Sequence, residues 1–540
     1  MLKLIEKKAH WLKMLPKKRW GIYGYAFAII LLSTQLVWHL QLFFVLISAF
    51  FGWLFFRETI SDRVEALVSD SEKKEKLWLL IIPFAVLLFT RSILFIKYNH
   101  YPALGYDMGI YKYEFERAES FFAAIKTSFY PGLIILVSLM QKIGLSVSFF
   151  MREFYILLNL LIGVMIYLTG REFFGKKVGF YSLILYTASL TQFTAYYFFL
   201  YKNVLALSLL LSTFILLHRR SYWAVLTGAY LGIVQPPDFL ILAATMAIMF
   251  VHQFLDKTQR NYLLKTGGII GGLFLLGFLA RFNQIREGIN LIFHYETHWD
   301  PSISGGGVFI DFHRYVEQAI YYLPFVLCGL IASSGFKKKK GFQLNFLHIG
   351  FLVSAVIVCF RLVFYKRYII EFDIFALLFA AVGVYYFVEW YGKKWWQKTL
   401  WIVLGLALFV NISLESGHAT PLLPSLEAAR IKTLCKLPKN TLVMAVSNFY
   451  SPWLRGYSCH ETIAPGLFEW NRWDEEGWKE FWNGDREKIE EKMETLKIYH
   501  KAIYIFVGSM QPQIDFSEVE GFTKIRSYLW RWDFKRELDE

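Results

Sequence analysis

Long apolar runs separated by short basic clusters are the feature that most constrains the fold of this chain. Runs such as residues 21–38, 40–56, 77–97, 149–170 and 178–197 are each long enough to cross a bilayer at about 1.5 Å per helical residue. The 540 residues are 56% hydrophobic and 19% aromatic, which is too apolar for a soluble protein of this size. The pattern therefore predicts a mainly α-helical, polytopic membrane protein.

The basic clusters predict the side of the membrane on which each connection lies. They occur at residues 1–19, 57–76, 171–177, 218–220, 257–260, 337–340 and 393–394. When the runs alternate across the bilayer, all these clusters fall on one side, which the positive-inside rule identifies as the cytosol. This gives about 13 transmembrane helices. We therefore predict a multi-pass protein of the cell (plasma) membrane with a cytosolic N-terminus and an extracytoplasmic C-terminal region.

The net charge of +15 does not predict nucleic-acid binding, because the Lys and Arg residues flank apolar runs instead of forming one basic surface. Among the cysteines, Cys328 and Cys359 lie in apolar runs. Cys435 and Cys459 lie in the polar C-terminal region and could form a disulfide if that region is outside the cytosol. The sequence leaves open whether they are bonded.

Composition divides the chain into three segments. Residues 1–76 form a basic N-terminus, a transmembrane hairpin and a cytosolic linker, and residues 77–411 form the main transmembrane module with outer loops at 98–148 and 281–315. Residues 412–540 are more polar, and we expect them to form a small α/β domain. Its predicted strands cover residues 441–447 and 502–508, and its predicted helices cover 474–482 and 486–496.

Asp107 is the first candidate for a chemical role. It lies in the motif Gly105-Tyr106-Asp107, in the loop that follows the apolar run 77–97, so the predicted topology places it on the outer face. A loop carboxylate beside the membrane can act as a general base or as a metal ligand. The alternative is a structural role, in which Asp107 caps the helix that begins at Met108.

Basic and aromatic residues near the outer ends of the spans are candidates for binding an anionic headgroup. The predicted phosphate-binding residues are Lys202, Arg314, Lys366 and Arg367, and the predicted pocket residues are Tyr106, Glu114, Asp238, Tyr365 and Tyr368. The alternative for each cation or tyrosine is that it anchors a helix end at the interface, and for Asp238 that it caps a helix. The charged residues within apolar runs, namely Arg91, Arg152, Glu153, Glu371 and Asp373, are expected to pair structurally or to face a cavity.

The loop at residues 281–315 contains a second group of candidates. His294, Glu296 and His298 have side chains that can bind a divalent metal, although their spacing matches no tight metal motif. The glycines at residues 305–307 predict a hinge that would let this loop close over a substrate. A solvated loop without a catalytic role is the alternative.

Four features together resemble the C-type (GT-C) membrane glycosyltransferases, the superfamily that includes protein O-mannosyltransferases and the aminoarabinose transferases of lipid A. They are an acid in the first large outer loop at Asp107, a short helix opened by Tyr130-Pro131-Gly132, the turn Gly170-Arg171-Glu172-Phe173-Phe174-Gly175, and two closely spaced spans with Tyr201-Lys202-Asn203 at their outer end. The resemblance covers residues 77–411.

The resemblance implies an inverting enzyme that transfers a sugar from a polyprenyl-phosphate donor to a protein, lipid or glycan acceptor, with Asp107 as the base and in some cases Mg²⁺ or Mn²⁺ as a cofactor. The Asp-Glu pair of protein O-mannosyltransferases is absent, since Tyr106 precedes and Met108 follows Asp107. The sugar, the acceptor and the need for a metal are therefore not predicted. A multi-span transporter or lipid flippase without transferase activity is the alternative function, and a membrane scaffold is a third.

Overall fold

The structure is a computed structural model that describes most of the chain from residue 77 onward. The described residues are 77–98, 105–118, 131–253, 256–279, 312–333, 344–362, 365–391, 395–446, 449–465, 473, 475–499, 502–509 and 516–534. The predicted N-terminal hairpin and the predicted metal ligands His294, Glu296 and His298 lie outside these residues.

The segment before the C-terminal domain is helical throughout its described part. Its helices are α1 (Ile81–Lys97), α2 (Met108–Glu116), α3 (Pro131–Gln141), α4 (Val147–Phe174), α5 (Lys176–Ala188), α6 (Leu190–Tyr197), α7 (Tyr201–His218), α8 (Trp223–Val234), α9 (Pro236–His252), α10 (Lys257–Leu279), α11 (Phe312–Ala319), α12 (Leu323–Ser333), α13 (Phe346–Cys359), α14 (Tyr365–Tyr391) and α15 (Trp395–His418). The prediction of a mainly α-helical chain is confirmed.

Four of the described helices are long and apolar enough to cross a membrane by themselves: residues 78–97, α4, α7 and residues 365–388 of α14. A fifth crossing is possible if α11 and α12, which meet at an angle of 80°, form one broken span. Several shorter apolar helices, such as α8, α9 and α13, accompany them. The count of about 13 spans stays a prediction.

The centre of the helical part is α14, which packs against α12, α13 and α5. In α14, 94% of the most apolar 18-residue stretch is buried inside the protein. The corresponding buried share for the helix at residues 78–97 is 33%. An apolar helix enclosed by other helices contributes its whole circumference to the core, while a helix at the periphery contributes one stripe. The polar residues of α14 are consequently held inside the helix bundle.

The predicted crossing over residues 178–197 differs from the structure, because the chain breaks at Ser189 into α5 and α6. The Ser189 hydroxyl accepts a hydrogen bond from the backbone N–H of Gln192, which is the geometry of a helix N-cap, and it donates to the Asp373 carboxylate at 3.1 Å. Because the helix is interrupted at Ser189, this side chain can make a buried polar contact with α14.

The charged residues within apolar runs mostly have structural partners. Arg152 pairs with its neighbour Glu153. Asp373 accepts hydrogen bonds from Ser189, from Gln192 at 2.8 Å and from Tyr322. Arg91 is fully buried with its guanidinium group 5.0 Å from the ring centre of Tyr196, at cation–π distance. These contacts support the predicted structural role of Arg91, Arg152 and Asp373. Glu371 belongs to the polar cluster discussed below.

The C-terminal region folds into a small α/β domain. Its elements are α16 (Ser425–Thr433), β1 (Thr441–Ala445), α17 (Ser451–Tyr457), β2 (Glu461–Ile463), α18 (Glu475–Asn483), α19 (Arg486–Glu494), β3 (Ala502–Phe506), β4 (Phe522–Arg526) and β5 (Leu529–Trp532). The sheet order is β2-β1-β3-β5-β4, with β1 parallel to β2 and β3, and with β5 antiparallel to β3 and β4. The predicted strands and helices are confirmed as β1, β3, α18 and α19.

Most of the tryptophans described in this domain are core residues, since Trp453, Trp473, Trp478 and Trp532 are all at least nine-tenths buried. Cys435 and Cys459 form a disulfide, which answers the question that the sequence left open. It joins the short 3₁₀ turn Leu434–Lys436 to the segment that follows α17. The disulfide therefore holds the C-terminal end of α17 against the rest of the domain.

Candidate active site

Asp107 stands at the N-terminus of α2, but its side chain does not cap the helix. The backbone carbonyl of Asp107 accepts the first helical hydrogen bond, from the N–H of Tyr111 at 3.1 Å, while the carboxylate accepts no capping bond. The geometry therefore does not support the alternative in which the Asp107 side chain caps the helix. The carboxylate is half-buried and remains available to another group.

The surroundings of Asp107 change its acidity. Burial raises its pKa from the ordinary value of 3.8 to about 6, with a smaller contribution in the same direction from Glu114. The cationic groups of Arg367 and Lys202 act in the opposite direction, since they favour the ionised form. Asp107 thus lies close enough to these three residues, which come from α2, α7 and α14, to interact with each of them.

Lys202 is fixed next to α2 by contacts from both its side chain and its backbone. Its ammonium nitrogen lies 3.5 Å from a carboxylate oxygen of Glu114 and 5.4 Å from the ring centre of Tyr111. Its backbone N–H donates to the Tyr111 hydroxyl at 3.3 Å. The exposed fractions of the Lys202 and Glu114 side chains are only 13% and 19%, so little water screens the ion pair.

The turn that precedes Lys202 also touches the loop that precedes Asp107. Phe199 in this turn has a φ of 64°, an uncommon conformation for an aromatic residue. A Cβ atom on Gly105 would lie 2.6 Å from the Phe199 Cβ and 2.7 Å from the Tyr197 carbonyl oxygen, so only glycine fits at this approach. The contact brings the Lys202 turn and the Asp107 loop together.

A second group of acidic and amide side chains lies next to Arg367. Asp238, at the start of α9, is fully buried, and Glu371 of α14 is 2% exposed. The Asn203 amide donates to Glu371 at 3.3 Å and accepts from Gln235 at 3.5 Å. The Asp238 carboxyl group lies within hydrogen-bonding reach of Glu371 and interacts with Arg367, and the described residues offer its two oxygens no other side-chain partner.

We call these residues the Asp107 cluster: Asp107, Glu114, Lys202, Asp238, Arg367 and Glu371. By this definition the cluster has four carboxyl groups and two cationic groups, drawn from α2, α7, α9 and α14 and the residue before α2. Five of its members were candidates for the site from the sequence, whereas Glu371 was expected to pair structurally or to face a cavity. The sequence signal for Glu371 was its charge within an apolar run.

The other predicted residues lie around this cluster or away from it. The Tyr368 hydroxyl donates to the Pro237 carbonyl at 3.1 Å and so joins α14 to the start of α9. Tyr106 faces Trp453 of the C-terminal domain, with 5.7 Å between ring centres. Tyr365 and Lys366 are half-buried at the start of α14, and Arg314 is exposed on α11. Phosphate binding by these residues stays a prediction.

An apolar groove begins one residue beyond Asp238. It has a volume of 420 Å³ between α9 and α10, and its lining includes Phe239, Ala243, Met246, Leu263 and Gly271. A similar groove of 370 Å³ lies on the other side of α9, against α13, and its lining includes Leu240 and Ala244. Both are lined by apolar residues, as expected for surfaces that contact hydrocarbon chains.

The described residues contain no group of three or more His, Cys, Asp or Glu side chains arranged to hold a metal ion. The predicted ligands His294, Glu296 and His298 fall outside the part of the chain that the structure describes, so this observation does not test them. Within the Asp107 cluster, the carboxylate oxygens of Asp238 are hard donors of the type that Mg²⁺ and Mn²⁺ prefer.

No protein-family model and no curated protein matches the sequence. The fold, in contrast, matches solved structures of the archaeal oligosaccharyltransferase AglB from Archaeoglobus fulgidus. One of them, a complex with an inhibitory peptide and a dolichol-phosphate, has a TM-score of 0.55 and 12% sequence identity, and the match covers 80% of this chain and 69% of that chain.

Two further structures of the oligosaccharyltransferase from the same organism match similarly. The apo form has a TM-score of 0.53 and 14% identity, with 80% of this chain and 70% of that chain covered. A complex with Zn and sulfate has a TM-score of 0.52 and 13% identity, with 79% and 68% covered. At this level of identity the likeness shows the fold alone. Over about 80% of its length, the chain has the fold of these archaeal oligosaccharyltransferase structures.

Proposed function

We propose that this protein is a membrane glycosyltransferase that transfers a sugar from a polyprenyl-phosphate donor to an acceptor at the outer face of the membrane. The observation that carries the proposal is the position of Asp107, a half-buried carboxylate that caps no helix and interacts with Lys202 and Arg367. A base beside two cations is the arrangement that glycosyl transfer from a lipid phosphate requires.

In the proposed reaction, the acceptor oxygen attacks the anomeric carbon of the sugar while the bond from that carbon to the phosphate oxygen breaks. Asp107 takes the proton of the acceptor, and the polyprenyl phosphate leaves with the electron pair of the broken bond. Lys202 and Arg367 stabilise the negative charge that develops on the departing phosphate. A single displacement of this kind inverts the anomeric configuration.

The charge state of Asp107 suits this role. With a pKa of about 6, the carboxylate is largely ionised at neutral pH, yet it is more basic than an ordinary aspartate. A base is most effective when its pKa lies near the working pH, because it is then both available and able to hold a proton. Burial, which raises the pKa, therefore improves the proton acceptor.

The groove between α9 and α10 supports a donor with a long hydrocarbon chain. It starts at Phe239, next to Asp238 of the cluster, and continues along apolar residues of both helices. A polyprenyl chain in this groove would have one end near the start of α9, where Asp238 interacts with Arg367. The AglB structure that contains a dolichol-phosphate supports a lipid-linked donor, and its inhibitory peptide supports a peptide among the possible acceptor classes.

The disulfide supports the outer location of the C-terminal domain. Structural disulfides persist in oxidising compartments and are rare in the cytosol. Because the domain that contains Cys435–Cys459 contacts α2 at Trp453, an outer domain also places Asp107 on the outer face. The predicted cytosolic N-terminus is consistent with this orientation.

A divalent metal, Mg²⁺ or Mn²⁺, remains part of the proposal. Asp238 would be the contributor from the described residues, and His294, Glu296 and His298 would be the contributors from the loop at residues 281–315. Bound there, a metal would neutralise phosphate charge. Incubation with EDTA should abolish transfer, and added Mg²⁺ or Mn²⁺ should restore it.

Replacing Asp107 with Asn tests the function directly. The purified protein is incubated with radiolabelled polyprenyl-phosphate sugars and membrane extracts that supply acceptors. We expect transfer by the parent protein and a loss of about 10²- to 10⁴-fold in Asp107→Asn, the range for removing a general base. Glu116→Gln, an exposed change on the same helix, is the control and should retain activity.

The alternative function makes a different prediction. A transporter or lipid flippase would move the labelled lipid across proteoliposome membranes and would leave the sugar on its phosphate, with little effect of Asp107→Asn. That result would contradict the proposed transferase.

A further inference from the structure

Helix α2, which follows Asp107, crosses α17 of the C-terminal domain at backbone contact. A Cβ atom on Gly109 would overlap the carbonyl oxygen of Pro452 and would lie 2.9 Å from the backbone nitrogen of Trp453. In the opposite direction, a Cβ atom on Gly456 would lie 2.6 Å from the Gly109 Cα and would overlap the Gly109 carbonyl oxygen. The two helices can approach this closely only because both positions are glycine.

Side chains on either side of this crossing join the same two helices. The Lys112 ammonium donates to the Gly456 carbonyl at 2.9 Å. The Arg455 guanidinium lies 4.4 Å from the ring centre of Tyr113, and the Lys112 ammonium lies 4.9 Å from that of Tyr457, both at cation–π distance. The contact is therefore a specific, oriented interface along the length of α2.

The opposite face of α2 belongs to the transmembrane core. Met108, Tyr111 and Phe115 are at least nine-tenths buried and pack in the same apolar cluster as the membrane helices. The loop before α2 contacts the Phe199 turn through Gly105. Helix α2 is thus held between two bodies, and Asp107 lies at the end where both contacts begin.

Within its own domain, α17 is anchored at both ends. At its N-terminus the Tyr450 hydroxyl contacts the buried carboxylate of Glu427, which also accepts from the backbone N–H of Ser509 at 2.6 Å. At its C-terminus Cys459 is bonded to Cys435. Because both ends of α17 are bonded to the rest of its domain, the position of the domain fixes the position of α17 against α2.

We propose that the C-terminal domain acts as a clamp on the active site, in which α17 presses α2 against the transmembrane helices and so sets the position of Asp107. Gly109 and Gly456 are then positioning residues for the reaction. This inference rests on the proposed function of Asp107, but it makes a separate statement about the molecule: the domain at residues 412–540 is part of the active-site structure. Tyr106 and Gly109, on either side of Asp107, both contact α17.

The test uses the full-length, detergent-purified protein and needs no substrate. Carbodiimide coupling of a small amine to Asp107 is followed by mass spectrometry as a function of pH, which gives the titration midpoint of that one carboxyl group. The variants are Gly109→Ala and Gly456→Ala. The matched control is Gly417→Ala, because a Cβ atom at Gly417 meets no other atom within 4 Å.

We expect the parent protein and Gly417→Ala to titrate near 6, and we expect both clamp variants to shift toward 3.8, because an opened interface admits water to Asp107. Lys112→Met removes the contacts of the ammonium group with the Gly456 carbonyl, the Tyr457 ring and Glu116, and it leaves the glycine crossing itself unchanged. It should therefore shift the midpoint in the same direction by less, and it provides the test if the alanine variants fail to fold. Midpoints equal to that of Gly417→Ala would overturn the clamp.

The same variants separate the clamp from the proposed function. If they shift the midpoint but the parent protein transfers no sugar, the clamp stands and the transferase proposal fails. If the parent protein is active, each clamp variant should lose kcat by at least tenfold with a smaller change in the KM for the donor. Loss of the Cys435–Cys459 bond in a variant would instead indicate a misfolded domain, and that variant would be set aside for Lys112→Met.

Discussion

The Lys202 ammonium nitrogen lies 3.5 Å from a carboxylate oxygen of Glu114, so an ion pair joins the start of α7 to the helix that follows Asp107. Both side chains are largely buried, and Tyr111 lies beneath the ammonium group. Lys202 therefore has a fixed position near Asp107, between the Glu114 carboxylate and the Tyr111 ring. We expect its positive charge to attract a ligand phosphate.

Replacing Lys202 with Met should weaken donor binding. A charge-assisted hydrogen bond contributes about 1.5–3 kcal/mol, which corresponds to roughly 10- to 100-fold in affinity. Binding of a polyprenyl phosphate to the purified protein measures the effect, and the exposed Lys142→Met is the control. Equal affinity in both variants would remove Lys202 from the donor site.

The pH dependence of the reaction should reflect Asp107. Because the base must be ionised, kcat/KM should rise with pH through about 6 and level off above it. The stability effect has the opposite sign: the folded state binds this proton more tightly than the unfolded state, so this residue lowers the free energy of unfolding as pH rises from 3.8 to about 6. A flat rate profile between pH 5 and 7 would argue against Asp107 as the base.

Two buried aspartates should respond oppositely to the same substitution. Asp238→Asn removes one of two neighbouring carboxyl groups, and its amide can donate to Glu371, so we expect stabilisation of about 1 kcal/mol. Asp373→Asn replaces one of the two acceptor oxygens with an NH₂ group, which cannot accept from Ser189, Gln192 or Tyr322. We therefore expect destabilisation of about 1–3 kcal/mol. Thermal unfolding in detergent measures both, and a loss of stability in Asp238→Asn would show that its carboxylate has a stabilising partner.

The apolar groove offers a prediction with an adjacent control. Ala243→Trp would fill the groove between α9 and α10, whereas Ala244→Trp would fill the one on the other side of the same helix. If the first groove holds the polyprenyl chain, Ala243→Trp should reduce affinity for a long-chain donor by at least tenfold and leave a short-chain analogue unaffected. Equal losses in the two variants would show that the groove is not selective.

The sequence was sufficient for the outline of this protein because that outline depends on local patterns. Apolar runs predicted helices such as α1 and α4, and short apolar segments in the polar C-terminal region predicted β1 and β3. The strands β2, β4 and β5 were missed because β2 and β5 have only three and four residues, and because β4 is exposed along most of its length. Such strands carry little apolar pattern and form by pairing with their neighbours. The break at Ser189 was missed because its partner, Asp373, lies 184 residues away.

The candidate site was likewise predictable from the sequence only in part. Asp107 was chosen as a carboxylate in a predicted outer loop, and Lys202 and Arg367 were chosen as cations near the outer ends of predicted spans. These properties could be judged one residue at a time. The sequence by itself therefore determined the helical membrane fold, the presence of a C-terminal α/β domain and the type of chemistry available. Only the tertiary structure decided that Asp107 leaves its helix uncapped, that Glu371 joins Asp238, and that α17 crosses α2 at two glycines. The Glu371–Asp238 pair and the α17–α2 crossing join residues far apart in the chain, and the geometry of all three features depends on how whole helices pack.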